Sequence, residues 1–291
     1  MSVCAFLGLG VMGFPMAGHL AAKGHSVSVW NRTSAKSEAW AGEFSGKSTV
    51  EPADAVKGAD FVFLCLGDDP DVETVFEQLE PGLEEGMIVV DHTTASAGLA
   101  RGLYERCAKR GVDFIDAPIS GGQAGAEKGA LTIMCGGADR AMRAARPIME
   151  AYGKRITHIG ESGAGQLAKS VNQICIAGIV QGLSEGIHFA EANNLDVAKV
   201  MEAISGGAAQ SWQMENRWKT MADRDFEHGF AVDWMRKDLR IALEAARKSG
   251  ARVPVAALVD QFYADVQAMD GNRWDTSSLL ARLDPQKKDP A

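Results

Sequence analysis

The sequence lacks the features that mark several large classes of protein. Its five cysteines (Cys4, Cys65, Cys107, Cys135 and Cys175) form no CxxC pair and sit mostly in apolar runs. An odd, scattered set reads as reduced thiols of a cytosolic protein and excludes a disulfide framework. Six histidines (His19, His25, His92, His158, His188 and His228) are isolated, without metal-ligand spacing, so no metal site is expected. Positive charge is not in excess: 30 Lys and Arg stand against 38 Asp and Glu, a formal net charge of −8. Electrostatics therefore give no reason to expect a nucleic-acid partner. No apolar run reaches the roughly 18 residues of a membrane span, because Lys169, Asn172 and Gln181 interrupt the longest candidate. The apolar N-terminus has no basic n-region and is broken by Gly8, Gly10 and Gly13. It reads as a first strand and turn, not as a signal peptide. A soluble cytoplasmic protein with no membrane contact is expected.

What is present is ordinary globular composition: 291 residues, 46% apolar and 23% charged. At roughly 100–200 residues per domain, about two domains are expected. Short apolar runs at 3–7, 26–30, 60–66, 87–91, 112–116, 130–135 and 156–159 read as strands, with helical patterns between most of them, as at 12–23 and 96–110. This alternation predicts a parallel sheet covered on both faces, the Rossmann-type doubly wound α/β arrangement. After Gly160-Glu161-Ser162-Gly163 the texture changes. The stretch 166–193 has no strong turn signal and many small residues, so it predicts a helix of about 27 residues, long for a globular protein. Helical patterns continue at 197–204, 212–221, 232–248 and 254–269, and a frayed tail is expected at 284–291. The expected domains are 1–162, which binds a dinucleotide, and an all-α substrate and oligomerisation domain, 163–291, built on the long inter-domain helix. There is no tandem repeat.

Gly8-Leu9-Gly10-Val11-Met12-Gly13 is a G-x-G-x-x-G between a predicted strand and a predicted helix. The first glycine permits a tight turn, the second lets backbone approach a pyrophosphate, and the third allows close helix–strand packing. The helix N-terminus adds N–H groups and a positive dipole end. The competing reading is a glycine-rich structural turn. Sites that prefer NAD place a carboxylate at the end of the second strand to bond the ribose 2′-hydroxyl. Here that strand ends Trp30-Asn31-Arg32-Thr33, with Ser34 next. An arginine beside hydroxyl-bearing residues suits a 2′-phosphate, so NADP(H) is the expected cofactor, with NAD(H) still usable. A solvated surface arginine is the alternative.

Asp116-Ala117-Pro118-Ile119-Ser120-Gly121-Gly122 follows a predicted strand at the carboxyl edge of the sheet, where open α/β folds bind ligands. Ser120, Gly121 and Gly122 can turn successive backbone N–H groups toward a carboxylate; a plain glycine turn is the other reading. Lys169 and Asn172 lie three apart on one face of the long helix. Lysine on an apolar helix is costly to bury without a partner or a task, and its task would be proton transfer at a hydroxyl that becomes a carbonyl. On the residues alone, an ordinary exposed face explains the pair equally well. Lys237-Asp238 on a later helix is placed near the cofactor or else is a surface charge pair. Trp212 and Phe230 either wall an apolar pocket or belong to the core.

Taken together, the motifs resemble the β-hydroxyacid dehydrogenase family across nearly the whole chain. They are Gly8 to Ala17, Asp116 to Gly122, Gly125-Ala126, Gly129-Ala130-Leu131-Thr132, Gly163-Ala164-Gly165-Gln166, Lys169-Ser170-Val171-Asn172-Gln173 and Lys237-Asp238-Leu239. The resemblance implies a Rossmann domain, an all-helical domain and a long helix that links them and supports dimers or tetramers. It implies Lys169 as the catalytic lysine, Asn172 at the substrate oxygen, and a small carboxylate substrate held by Ser120, Gly121 and Gly122. It also implies cofactor contacts from Thr94, Lys237 and the loop Leu66-Gly67-Asp68. Two departures stand out: Asn172-Gln173 where many members read Asn-Asn, and Ala95-Ser96 where Ser-Pro is common. The expected activity is NADP-preferring interconversion of a small 3-hydroxyacid and its semialdehyde, as in 3-hydroxyisobutyrate dehydrogenases. Imine reductases of the same superfamily usually replace the lysine, and non-catalytic modules with this fold lose it.

Overall fold

The structure is a computed structural model, and it describes residues 1–284. All but the first residue of the expected frayed tail lies outside those residues. The described chain forms two compact units, Met1–Lys169 and Ser170 onward.

The first unit is a sheet with helices on both faces. Its strands are β1 (Val3–Leu7), β2 (Ser26–Trp30), β3 (Lys47–Ser48), β4 (Phe61–Leu64), β5 (Ile88–Asp91), β6 (Asp113–Asp116), β7 (Ile119–Ser120), β8 (Leu131–Gly137) and β9 (Gly153–Gly160). Among the described residues they lie in the order β3-β2-β1-β4-β5-β6-β8-β7, with β9 also on β8. The strands from β3 to β6 pair in parallel, and the order reverses between β1 and β4. That reversal point is where open α/β sheets leave a crevice at their carboxyl ends.

The expectation of a parallel sheet fails at one side. β8 is antiparallel to both β6 and β7. Its edge runs along β6, then Pro118, whose carbonyl accepts from Met134 N–H at 3.0 Å, then β7. Parallel pairing needs a crossover of a dozen or more residues. The six-residue helix between β7 and β8 is too short for that, and the chain doubles back.

Period-2 alternation builds two cores. Cys4, Phe6, Phe61, Phe63, Ile88, Val90 and Ile115 face helices α1 (Gly13–Ala22), α2 (Ser34–Glu43), α6 (Gly122–Glu127) and α7 (Asp139–Met149). Ala5, Leu7, Val62, Leu64, Val89 and Phe114 face α3 (Pro52–Val56), α4 (Asp69–Leu79) and α5 (Ala97–Ala108). Strands buried on both faces read as continuous apolar runs, which is why the sequence exposes them so plainly.

Helix α8 (Ala164–Ala192) begins in the first unit and continues through the second, which adds α9 (Val197–Ile204), α10 (Trp212–Ala222), α11 (Val232–Ser249) and α12 (Pro254–Ala268). One core joins α8 (Ala177, Val180) to α11 (Val232, Met235, Leu239) and α12 (Ala256, Val259, Tyr263). A second joins Leu183 and Ile187 to Met201, Met214 and Met221. Asp196 caps α9 by accepting from the N–H groups of Ala198 and Lys199, and Gly250, at φ 77°, closes α11. No helix of the described residues is long and apolar enough to cross a membrane.

Candidate active site

The glycine turn sits at the carboxyl end of β1. Gly8 has φ 101°, a left-handed conformation that favours glycine, and its N–H donates to Trp30 O at 2.9 Å. A Cβ there would lie 2.2 Å from Cys65 O, and one at Gly13 would lie 1.9 Å from Gly8 O. These two glycines are demanded by packing within the protein. Gly10 is different: a Cβ there meets nothing within 4 Å. Val11 beside it is exposed, and no side chain caps α1 after Met12. Open space beside uncapped helix N–H groups is what a dinucleotide pyrophosphate requires, so these residues fit such a cofactor. Asn31 holds the turn in place, accepting from Leu9 N–H at 2.8 Å and donating to Thr33 O at 3.0 Å. Arg32 is 85% exposed and pairs with Asp71 at 3.1 Å. Thr33 precedes α2, whose first turn carries no acidic residue.

The loops after β4, β5 and β6 line the same edge and are tied to one another. Leu66 N–H donates to Thr93 Oγ1 at 2.9 Å, and Ser96 N–H to Asp69 Oδ1 at 2.7 Å. Gly67 and Thr94 lie in these two loops. Gln166, in the first turn of α8, clamps the second loop. Its amide donates to Thr93 O at 2.7 Å and accepts from Ala95 N–H at 3.0 Å. Asp116 in turn fixes the start of α8, accepting from Gly163 N–H at 2.7 Å and Gln166 N–H at 3.0 Å. Orphan N–H groups at a helix start need such an acceptor. Burial lifts the Asp116 carboxyl to about 6, against the lowering effect of these bonds.

Two further buried groups have opposite pH linkage. Burial pushes Asp91, which accepts from Thr93 N–H at 2.9 Å, up to about 7. Burial lowers His92 to about 4. His92 Nδ1 faces Ala117 O at 2.7 Å, so it carries the proton, and Nε2 accepts from the Tyr152 hydroxyl at 2.8 Å. Between its ordinary and folded values Asp91 holds a proton only when folded, so stability falls as pH rises through that window. His92 has the reverse sign, holding its proton only when unfolded between 6.5 and about 4, so stability is lost as pH falls there. Asp91→Asn keeps the acceptor but removes the ionisation. Its melting temperature should gain on wild type steadily from pH 4 to pH 7 and no further above; a constant difference would contradict the assignment.

Lys169 is 7% exposed, and its Nζ donates to Ile119 O at 2.9 Å. That carbonyl is one residue before Ser120, Gly121 (φ 133°) and Gly122 (φ 62°), which are half-buried or exposed. The structure thus brings the expected lysine to the expected carboxylate-binding turn. In the second unit, Asn172 Nδ2 donates to Gln173 Oε1 at 2.8 Å. Lys237 Nζ lies 2.9 Å from Asp238 Oδ1. Trp212 stands 56% exposed at the start of α10, with the Arg217 guanidinium 5.0 Å over its ring. Phe230 packs against the core of α8, α11 and α12, its N–H donating to Asp275 at 2.8 Å.

Comparison with known proteins gives the family. A family model described as the NAD binding domain of 6-phosphogluconate dehydrogenase matches residues 3–160. Another, described as NAD-binding of NADP-dependent 3-hydroxyisobutyrate dehydrogenase, matches residues 163–283. The chain belongs to the β-hydroxyacid dehydrogenase family. Within it, the chain is 56% identical to an uncharacterized oxidoreductase of Shewanella frigidimarina, over 99% of this chain and all of that one. It is 36% identical to an NAD-dependent L-serine dehydrogenase of Pseudomonas aeruginosa, over 98% of this chain and 99% of that one. A solved Mycobacterium tuberculosis 3-hydroxyisobutyrate dehydrogenase with L-serine superposes with a TM-score of 0.89, at 29% identity, covering 98% and 99% of the two chains. As a family member the protein is an NAD(P)-dependent oxidoreductase of hydroxyacids.

Sequence reading left Asp91, His92 and Gln166 without roles. Only Gln166 had a usable signal: a polar side chain among small residues one turn before Lys169, in a helix start too tight for anything but glycine at 165. A Cβ on Gly165 would lie 2.5 Å from both Asp116 O and Met134 O.

Proposed function

We propose that this family member is an NADP-preferring oxidoreductase that interconverts a small 3-hydroxyacid and its semialdehyde, with Lys169 as general acid and base. The carrying observation is the buried Lys169 Nζ bonded to Ile119 O, beside the Ser120-Gly121-Gly122 turn. A nicotinamide dinucleotide, held there, would supply the hydride acceptor or donor for the carbinol carbon. In the oxidative direction Lys169 takes the hydroxyl proton as the C–H bond is lost. In the reductive direction its ammonium gives that proton to the carbonyl oxygen. Ser120 and the N–H groups of Gly121 and Gly122 hold the substrate carboxylate, Asn172 orients the reacting oxygen, and Trp212 and Phe230 bound the remaining space. Gly8, Gly10, Val11, Met12 and Gly13 would hold the pyrophosphate of that cofactor, and Leu66, Gly67, Thr94 and Lys237 are the residues that would hold its nicotinamide half. L-Serine, named for two of the relatives, is itself a 3-hydroxyacid, which supports the substrate class.

NADP preference is supported by the absence of a carboxylate at Asn31-Arg32-Thr33 and by the exposed Arg32 guanidinium, whose only cost on meeting a 2′-phosphate is a surface ion pair with Asp71. The screen that tests both parts measures NADPH and NADH consumption on glyoxylate and on succinic, methylmalonic, malonic and tartronic semialdehydes, with reverse assays on L-serine and 3-hydroxyisobutyrate. At least one semialdehyde should be reduced, with a KM about tenfold lower for NADPH, as expected for a lost charge-assisted contact. A clear preference for NADH would overturn the cofactor assignment.

The same reading makes the protein a cytoplasmic homodimer or homotetramer. Val171, Cys175, Ile179, Gly182, Gly186 and Phe189 form one exposed stripe along α8, and Phe189 is 66% exposed. Contiguous apolar surface of this kind marks association sites. Light scattering should give two or four times the 31.0 kDa chain mass.

A further inference from the structure

Helices α11 and α12 of the second unit border a cavity of about 330 Å³, lined by Arg236, Lys237, Arg240, Leu243, Arg247 and Asp260. Positions 236, 240, 243 and 247 follow the spacing that keeps residues on one face of a helix, and three of the four are arginines. The lining side chains carry four positive charges and one negative. That negative charge is met within the protein. Arg236 Nε donates to Asp260 Oδ1 at 3.1 Å and Nη2 to Oδ2 at 3.4 Å, while Nη1 donates to Gln267 Oε1 at 2.5 Å. Gln267 is fixed in turn by Asp233, which accepts from its amide at 2.5 Å. Arg236 therefore forms a fixed wall.

The remaining arginines are held more loosely. Arg240 meets Glu244 at 3.4 Å, both side chains nearly half exposed, an ion pair worth little and readily exchanged for another anion. Arg247 is exposed, and among the described residues no carboxylate pairs with it. A solvated helix face usually mixes charges of both signs along such a row. This row reads Arg, Arg, Leu, Arg.

We propose that the cavity between α11 and α12 binds a small phosphate ester, at a site separate from that of the dinucleotide. Guanidinium forks match phosphate oxygens two at a time, and three of the four cations are guanidinium groups. Leu243 and the cavity size call for an organic body on the phosphate. At roughly 30 Å³ per water molecule, 330 Å³ holds about ten waters, more than a bare phosphate fills. Lys237, at one end, is the lining residue also assigned to the cofactor, and Asp238 holds its Nζ at 2.9 Å. Arg240 and Arg247 carry no such assignment, and nothing in the site depends on the proposed reaction.

Calorimetric titration tests the site with three probes: 3-phosphoglycerate, inorganic phosphate and citrate. The wild-type protein should bind one 3-phosphoglycerate per chain, about tenfold more tightly than inorganic phosphate or citrate. R240A/R247A should weaken 3-phosphoglycerate at least tenfold, the size expected of two charge-assisted contacts discounted for exposure. Both side chains are exposed, so this variant should melt with wild type and keep its NADPH affinity within about twofold. K154A/R155A removes the same two charges from exposed positions on β9 and should bind 3-phosphoglycerate like wild type. Gly10→Ala, altered at the dinucleotide turn, should do so too.

No binding of 3-phosphoglycerate at millimolar concentration would overturn the proposal, as would an equal loss in K154A/R155A, which marks unspecific attraction. Equal affinity for inorganic phosphate or citrate would overturn the assignment to a phosphate ester. Loss of 3-phosphoglycerate in Gly10→Ala, or a tenfold loss of NADPH in R240A/R247A, would make the cavity part of the dinucleotide site and overturn its separateness.

Discussion

Lys169→Ala is expected to lower kcat by about 10²–10⁴-fold, the usual contribution of a positioned general acid or base. At about 1.36 kcal/mol per factor of ten, that is roughly 3–5 kcal/mol of transition-state stabilisation. NADPH affinity, read by fluorescence titration, should change little. The Lys169 ammonium bonds Ile119 O at the end of the substrate turn, whereas the Gly8-to-Gly13 turn is held by Trp30 O and Asn31. Loss of the side chain also leaves the Ile119 carbonyl without this donor, so a modest fall in melting temperature is expected, on the order of 1 kcal/mol of stability. Lys169→Arg separates charge from proton transfer. A guanidinium keeps the positive charge but does not release its proton near neutral pH, so this variant should stay slow. Near-normal turnover by either variant would rule out the lysine as the proton carrier and, with it, the proposed mechanism.

Much of this architecture is legible in the sequence, and the reason is burial on both faces. Phe61, Val62, Phe63 and Leu64 are each covered, so β4 reads as an unbroken apolar run, as do β1 and β5. In the second unit Asp196 and Gly250 cap α9 and α11 where the expected patterns begin and end. What escaped has a common cause. β7 is two residues long and is a strand only because Ile119 and Ser120 meet Ile133 and Thr132 across the sheet. β3, also of two residues, exists only through Ser28 and Val29 on β2. Periodicity carries no information at that length.

The site divides the same way. Lys169 and the glycine turns were visible as residue types, and the residues alone left each of them a plain structural reading as well. Of the supports, Gln166 alone gave a signal. Asp116 and Gln166 act through bonds to backbone groups far along the chain: Gly163 for Asp116, and Thr93 and Ala95 for Gln166. A sequence offers no spacing rule for partners brought together by a sheet edge and a helix start.

Gly13 and Gly10 of the first turn should respond to alanine in different ways, and the contrast tests the cofactor site without any knowledge of substrate. At Gly13 a Cβ would lie 1.9 Å from Gly8 O and 3.0 Å from Phe6 Cε1. The Gly8 carbonyl has little freedom to yield, since its residue is held at φ 101° and bonded to Trp30 O. Helix α1 must therefore retreat from the turn. Overpacking of this kind costs typically 1–3 kcal/mol, occasionally more, which for a chain of this size lowers the melting temperature by roughly 5–10 °C. Because the same movement withdraws the α1 N–H groups, NADPH binding should weaken about 100-fold or be lost. Gly10→Ala meets no protein atom within 4 Å and should melt with wild type. Its methyl group instead enters the space assigned to the pyrophosphate, so NADPH affinity should still fall at least tenfold, the cost of a clash where backbone and ligand must touch. A Gly10→Ala protein that binds NADPH like wild type would place the dinucleotide elsewhere, and a Gly13→Ala protein with unchanged melting and binding would refute the packing argument itself.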